Sequence, residues 1–468
     1  MSNRRTALVL LVAVLLVTAL AFAQHDSTGP GGSDAGGHSD PVTPVLLGLT
    51  IILAAAKLGG ELFERIGQPS VLGELLAGVV LGNLVLLSPS WTFFEPLRVE
   101  DITLHWAVVV DAIARVGVIL LLFEVGLEST VGEMRKVGLS SFLVASLGVV
   151  APFFLGYAVS FWFITEVPPS ILAMSPNFTI SNIHLFIGAI LCATSVGITA
   201  RVLKDLEKIQ MPESKIILGA AVIDDVLGLL ILAIVGGIVV AAETGGSVSI
   251  GEIVRITGIA LGFLVGSFIV GVTLIPRTLR FMSRLRTRGM MIISAVLFCF
   301  LFSYLANIAG LAAIVGAFAA GLVLEEVHFT EFREKRTLHE LLHPVTTLFV
   351  PIFFVLMGIQ VRLESFVQPS VLGVAGGLTL AAFIGKQVCA FGVVEKGLDR
   401  TMVGLGMVPR GEVGLIMAGI GKQLGVVDDA IFSAVVIMVI MTTIVTPPLL
   451  KVRIGMTERR KAKAGVPS

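Results

Sequence analysis

The stretch LGAAVIDDVLGLLILAIVGG, residues 218–237, has the hydropathy of a membrane-crossing helix but carries two adjacent carboxylates, Asp224 and Asp225, in its first half. A crossing takes about 20 apolar residues. An ionised carboxylate at that depth costs on the order of 3 kcal/mol even on lenient insertion scales, so it must be neutralised, hydrated or functional. Reading the pair as a helix end at the interface fits poorly, because Leu218, Ala220, Ala221, Val222 and Ile223 already carry the chain below the surface.

The rest of the chain has the same character. Of 468 residues, 55% are hydrophobic and 14% charged, and the mean hydropathy is +0.97, which excludes an ordinary soluble globular protein. The formal net charge is zero, so bulk charge says nothing about partners, although its distribution does; neither a nucleic-acid nor a nucleotide partner is expected. Cys192, Cys299 and Cys389 lie in apolar runs without CxxC spacing and read as small hydrophobes rather than disulfides or metal ligands. No Walker motif, dinucleotide fingerprint or metal cluster stands out, so neither nucleotide nor redox drive is indicated and no cofactor is expected.

Arg4 and Arg5, the apolar run TALVLLVAVLLVTALAFA and a small-residue site before Gln24 have the order of a signal peptide over 1–23. An uncleaved first helix is the rival reading. A Gly-, Ser- and Asp-rich tail follows over 24–42; its His25 and His38 read as solvated. Thirteen crossings are expected after it, at 43–60, 70–88, 106–126, 138–163, 183–203, 215–242, 253–275, 289–306, 308–325, 345–361, 371–393, 401–424 and 429–450. Lys and Arg concentrate in alternate connections, such as PRTLRFMSRLRTRG, and in a basic tail over 451–468. The segments 164–182 and 243–252 are nearly devoid of them. The positive-inside rule then places the mature N-terminus outside and the C-terminus in the cytoplasm. Around YLANIAGLAA, residues 304–313, the flanking charges favour a hairpin of two helices over one kinked helix.

Three other polar features interrupt the apolar spans. Lys386, in LAAFIGKQVCAFG, must lose its proton or meet a carboxylate, and either Asp224 or Asp225 can serve by charge. A purely structural salt bridge is the plainer alternative, but one lysine leaves one carboxylate over. Consecutive helix positions point about 100° apart, so one aspartate can hold Lys386 while the other faces a hydrated cavity. There it can take either a proton or a small monovalent cation, and competition between the two is the minimum machinery of an exchanger.

Second, Thr194 and Ser195, followed by Gly197, loosen GAILCATSVGITARVL; they offer oxygens to a hard cation or simply bond back to their own helix. Third, Pro409, Arg410, Gly411 and Glu412 break the span GLGMVPRGEVGLIMAGIG, where Arg410 and Glu412 can balance each other and the broken helix ends, in a structural role or a functional one. Two discontinuous helices, one in each half of the chain, point to an inverted-repeat secondary transporter with its site near the midplane. Among smaller signals, Glu74 and Glu124 read as packing or cavity-lining acids, and Asp111 and Arg115 as an i,i+4 pair.

Taken together, QPSVLGELLAGVVLG, LLLFEVGLE, ATSVGITARVL, GAAVIDDVLGL, Gly385–Lys386 and MVPRGEVGLI make the chain similar to the cation:proton antiporter-2 family of bacterial sodium/proton antiporters. The resemblance implies an all-α polytopic membrane protein of the sodium/proton antiporter fold, with inverted repeats and two crossed discontinuous helices. It also implies a homodimer whose core helices, about 106–242 and 345–450, move like an elevator against interface helices at about 43–88 and 253–325. By the family pattern Asp225 binds the sodium ion and the proton, Asp224 partners Lys386, Thr194 and Ser195 lie at the helix crossing, and Arg410 and Glu412 stabilise it. The double aspartate resembles the electrogenic members, with two protons exchanged for one sodium ion. Sodium, with lithium, is therefore the expected cargo across the inner membrane, in the service of pH homeostasis. A chain ending at Ser468 without a nucleotide-binding domain departs from the gated potassium-efflux members. A potassium/proton antiporter, a cation channel and a silent receptor remain as alternatives.

Overall fold

The computed structural model describes residues 42–86, 91–98, 104–128, 138–208, 210–243, 250–285, 287, 289–324 and 337–463; the expected signal peptide and nearly all of the tail after it lie outside them. The described residues are helical, with no β-strand. Fifteen helices matter here. They are α1 (Val42–Arg65), α2 (Ser70–Gly82), α3 (His105–Glu128), α4 (Leu139–Phe163), α5 (Ile180–Ile190), α6 (Val196–Asp205), α7 (Pro212–Glu243), α8 (Ile250–Thr273), α9 (Met290–Ile308), α10 (Ala313–Val323), α11 (Leu338–Ile359), α12 (Pro369–Val388), α13 (Arg400–Gly406), α14 (Glu412–Gln423) and α15 (Asp429–Lys463). Among the described residues, nine helices are long and apolar enough to cross a membrane: α1, α3, α4, α7, α8, α9, α11, α12 and α15. The other four expected spans fall on the short apolar α2 and α10 and on the interrupted pairs α5/α6 and α13/α14. Outward apolar side chains such as Trp162, 81% exposed, and Phe391, 74% exposed, suit a hydrocarbon surround.

Contacts divide the chain into two units, one comprising residues up to Val118 with Val345–Leu363, the other Ile119–Pro344 with Glu364–Ser468. The expected core and interface groups are defined by movement rather than by contact density. In the first unit α1 and α2 pack as a hairpin so tight that a Cβ on Gly73 would run into the carbonyl of Gly59. The second helix was expected to run to residue 88, and it stops at Gly82. The next residue explains the stop. Buried Asn83 donates from Nδ2 to Val79 O (2.8 Å) and Val361 O (2.9 Å), while its Oδ1 accepts from Leu363 N–H (3.2 Å), so a side chain takes over where the helical ladder ends.

Within the second unit α4 is the hub, packed against α5, α7 and α12. Proline at the first position starts both α7 and α12, where its missing N–H costs nothing. Asp399 caps α13 by accepting from Met402 N–H at 3.1 Å. The apolar face of α7 from Ile216 to Ile223 buries itself among Val144 and Ala145 of α4, Cys389 and Val393 past α12, and Val403 and Met407 at the end of α13. That burial sets the aspartate pair among α4, α12 and the second interrupted helix. The 304–313 joint is a true turn: Gly310, at φ +78°, and the Leu311 N–H to Ala306 O bond (2.9 Å) close α9, and α10 folds back on it. The last helix continues past its expected end at 450 to Lys463, carrying much of the basic tail in helical form.

Candidate functional site

Every candidate residue lies in the second unit. Asp224, on the first half of α7, and Lys386, in the last turn of α12, are both fully buried and joined: Lys386 Nζ donates to Asp224 Oδ1 at 2.8 Å. The approach requires a bare backbone opposite. A Cβ on Gly148 of α4 would stand 3.2 Å from Lys386 Nζ, 3.4 Å from Cys389 Cβ and 3.7 Å from Asp224 Oδ1. Asp224 Oδ2 is buried without a hydrogen-bond partner. One position on, Asp225 is only half-buried, as the 100° step around the helix requires. The two carboxylates therefore occupy different surroundings.

The two interruptions meet. Helix α5 ends at Ile190 and α6 begins at Val196; α13 ends at Gly406 and α14 begins at Glu412. Between them the extended segments cross, and Ser195 N–H donates to Pro409 O at 2.8 Å. Ser195 Oγ donates to Glu412 Oε2 at 2.9 Å, and Thr199 Oγ1 donates to Gly406 O at 2.6 Å. Thr194 Oγ1 lies 3.5 Å from Met407 O, at the limit of hydrogen bonding. A Cβ on Gly411 would stand 2.7 Å from Ser195 Oγ, so the crossing passes only over glycine there.

Arg410 and Glu412 do not pair with each other; of the two expected roles, it is the broken helix ends that they meet. The Arg410 guanidinium is fully buried and donates from Nη1 to the Ala193 carbonyl just past α5, while Glu412 opens α14 and accepts from Ser195. Each charge sits at the helix terminus whose partial charge it complements: cation at a C-terminus, anion at an N-terminus. Residues 410 and 412 flank the glycine hinge and face opposite arms of the crossing, so each finds its partner in the other interrupted span. From α15, Thr443 Oγ1 donates to Arg410 O (2.5 Å) and Arg410 N–H donates to Thr442 Oγ1 (3.4 Å).

Thr199, Thr442, Thr443 and Gly148 are participants that the sequence reading passes over. Hydroxyls in an apolar span were the available signal, but a threonine bonded back to its own helix leaves the same one. Among the smaller signals, Asp111 accepts from Arg115 at 2.6 Å as its spacing implies, and Glu74 is buried.

A membrane bundle with a buried lysine–aspartate pair, a neighbouring half-buried carboxylate and two interrupted helices crossing in one unit has the construction of an ion-coupled transporter. The family model described as "Sodium/hydrogen exchanger, transmembrane" matches residues 48–452, and the chain belongs to that family, as the motif resemblance implied. It is 38% identical over 434 residues to the high-affinity Na(+)/H(+) antiporter NhaS3 of Synechocystis sp., covering 87% of this chain and 89% of that protein. To the Na(+)/H(+)-K(+) antiporter GerN of Bacillus cereus it is 34% identical, covering 88% and 96%. The solved sodium proton antiporter MjNhaP1 of Methanocaldococcus jannaschii superposes with a TM-score of 0.61 over 89% of this chain and 98% of that one; at 15% identity this shows the shared fold alone.

Proposed function

We propose that the protein exchanges sodium, and lithium, for protons across the bacterial inner membrane, electrogenically and by elevator-type alternating access. Asp225 is the carboxylate that takes cation and proton in turn. Asp224 holds Lys386, whose proton or salt bridge supplies the additional exchanged charge, and the Thr194–Ser195 crossing with Arg410 and Glu412 keeps the site's walls in place. The observation that carries this reading is the fully buried Asp224–Lys386 pair beside a second, half-buried carboxylate. Lys386 engages Asp224, and a half-buried acid one helix position on is suited to alternate occupancy.

The proposed topology has thirteen crossings, counting the short α2 and α10 and each interrupted pair as one, with the mature N-terminus outside and the C-terminus in the cytoplasm. The protein works as a homodimer, with 43–88 and 253–325 forming the static interface and 106–242 and 345–450 the moving core. Potassium is the second reading for the cargo, favoured by the relative named as a Na(+)/H(+)-K(+) antiporter. Proteoliposomes with an imposed sodium gradient test the proposal: vesicle pH should change with sodium and respond to membrane voltage. Asp225→Asn should abolish exchange while the purified protein still elutes as a folded species. Wild-type flux in that variant would remove Asp225 from the site, and flux preserved when potassium replaces sodium would transfer the assignment to the second reading.

A further inference from the structure

Three more ionisable side chains converge outside the residues of the crossing. Glu124 lies near the C-terminal end of α3, and His339 and His343 lie on the first turns of α11. The stretch 339–343 reads HELLH, and a four-residue spacing puts both imidazoles on one helix face. Their ring centroids are 5.8 Å apart with planes inclined by 26°. Both Nδ1 atoms stand 3.6 Å from the same oxygen, Glu124 Oε1, and the three potential ligand atoms lie within 4.8 Å of one another.

A separation of 3.6 Å is too long for an N–H···O hydrogen bond, which centres near 2.9–3.0 Å. It is close to the spacing of donors around a metal: bonds of about 2.0–2.1 Å in a tetrahedral arrangement leave neighbouring donors roughly 3.3–3.5 Å apart. The carboxylate side chain is 11% exposed and the imidazoles 53% and 66%, so the acid is held and the site is open to an entering ion. The main chain beneath Glu124 is held as well, because Gly126 and Gly321 bring α3 and α10 into backbone contact at Phe318 O and Phe123 O.

We infer that Glu124, His339 and His343 form a binding site for a divalent transition-metal ion of the zinc class, bridging α3 to α11 and separate from the monovalent cargo site. Two imidazoles with one carboxylate suit zinc and its neighbours, whereas magnesium and calcium take oxygen ligands. The sequence pattern is also that of zinc peptidases, in which the intervening glutamate is the general base. Here Glu340 is otherwise engaged: its Oε2 accepts from Thr337 N–H at 3.3 Å and its own N–H donates to Thr337 Oγ1 at 3.2 Å, a capping box that closes the start of α11. The site thus binds metal without a water-activating base.

Equilibrium dialysis of the tag-free, full-length protein in detergent against zinc, with magnesium in excess, tests the inference. One zinc per chain is expected, unchanged when His25→Ala and His38→Ala remove the histidines of the N-terminal tail. Glu124→Gln, which keeps the shape of the side chain, and His343→Ala should each weaken binding about tenfold or more, the least expected for loss of a direct ligand. Stoichiometric binding that survives the His339→Ala/His343→Ala double variant, or no zinc retained by a wild-type protein that elutes as a folded species, would overturn it. The readout is independent of ion exchange, so it stands or falls apart from the transport proposal.

Discussion

Replacing Lys386 by methionine leaves Asp224 as a buried charge without the cation that is hydrogen-bonded to it. Both partners are fully buried and the bond is 2.8 Å long, so almost none of the loss is recovered by water. Removing one member of such a pair costs about 3–5 kcal/mol, whereas replacing both by apolar groups of similar volume is neutral or stabilising by about 1–4 kcal/mol. A double-mutant cycle with Asp224→Val, Lys386→Met and their combination should therefore show each single variant weakened and the double variant largely restored. A loss of about 3 kcal/mol in either single variant corresponds to roughly two powers of ten in the unfolding equilibrium, and a restored double variant makes the coupling the sum of the two single losses. Unfolding in mixed micelles of increasing SDS content, followed by tryptophan fluorescence, reads the difference. On the proposed roles, the double variant should regain stability and keep exchange at Asp225 while losing the additional charge assigned to Lys386. A coupling below about 0.5 kcal/mol, the level of independent sites, would refute the claim that these two charges hold each other.

Gly148→Ala inserts a methyl 3.2 Å from Lys386 Nζ and should destabilise by about 1–3 kcal/mol, read as an earlier thermal unfolding, with a larger loss for valine. Ser195→Ala removes the donor to Glu412 Oε2 and should cost about 1.5–3 kcal/mol, whereas Ser195→Thr, which keeps the hydroxyl, should retain more stability. At the foot of α13, burial opposes ionisation of Asp399, but bonds from Arg453 (2.7 and 2.8 Å), Thr457 and Met402 N–H outweigh it and hold its carboxyl below the ordinary value of about 3.9. A lowered folded-state pKa stabilises above the unfolded value and is lost as pH falls through the folded one. The gap in thermal stability between wild type and Asp399→Asn should therefore be full at pH 7 and close progressively below about pH 4; a gap independent of pH would contradict the assignment.

Much of the candidate site's geometry was legible because bilayer depth makes charge conspicuous. Asp224, Asp225 and Lys386 stand out in apolar runs, and a count of two acids against one lysine already separates their surroundings. Pro409, Gly411 and the hydroxyls of Thr194 and Ser195 likewise mark the breaks. The partners of Arg410 and Glu412 were not legible. Arg410 binds the main-chain carbonyl of Ala193, 217 residues away, and a carbonyl has no sequence signature. The early end of α2 escaped for a similar reason: the sequence after Gly82 is apolar enough to continue the helix, and the bonds of Asn83 to Val361 O and Leu363 N–H have no sequence signature. The alternation of basic and bare connections, by contrast, needs no contact information to be read.

The main-chain bond from Ser195 to Pro409 makes the two breaks mutually dependent. Substitutions that regrew a continuous helix through 193–195 would turn the Ser195 N–H back into its own ladder and leave the carbonyl of buried Pro409 without its partner, where an unsatisfied peptide group costs several kcal/mol. Mending the other break would orphan the first in the same way. Each interruption satisfies the other, so helix-restoring changes should be deleterious at both places. A search for stabilised variants that samples one substitution at a time will find this crossing closed to improvement.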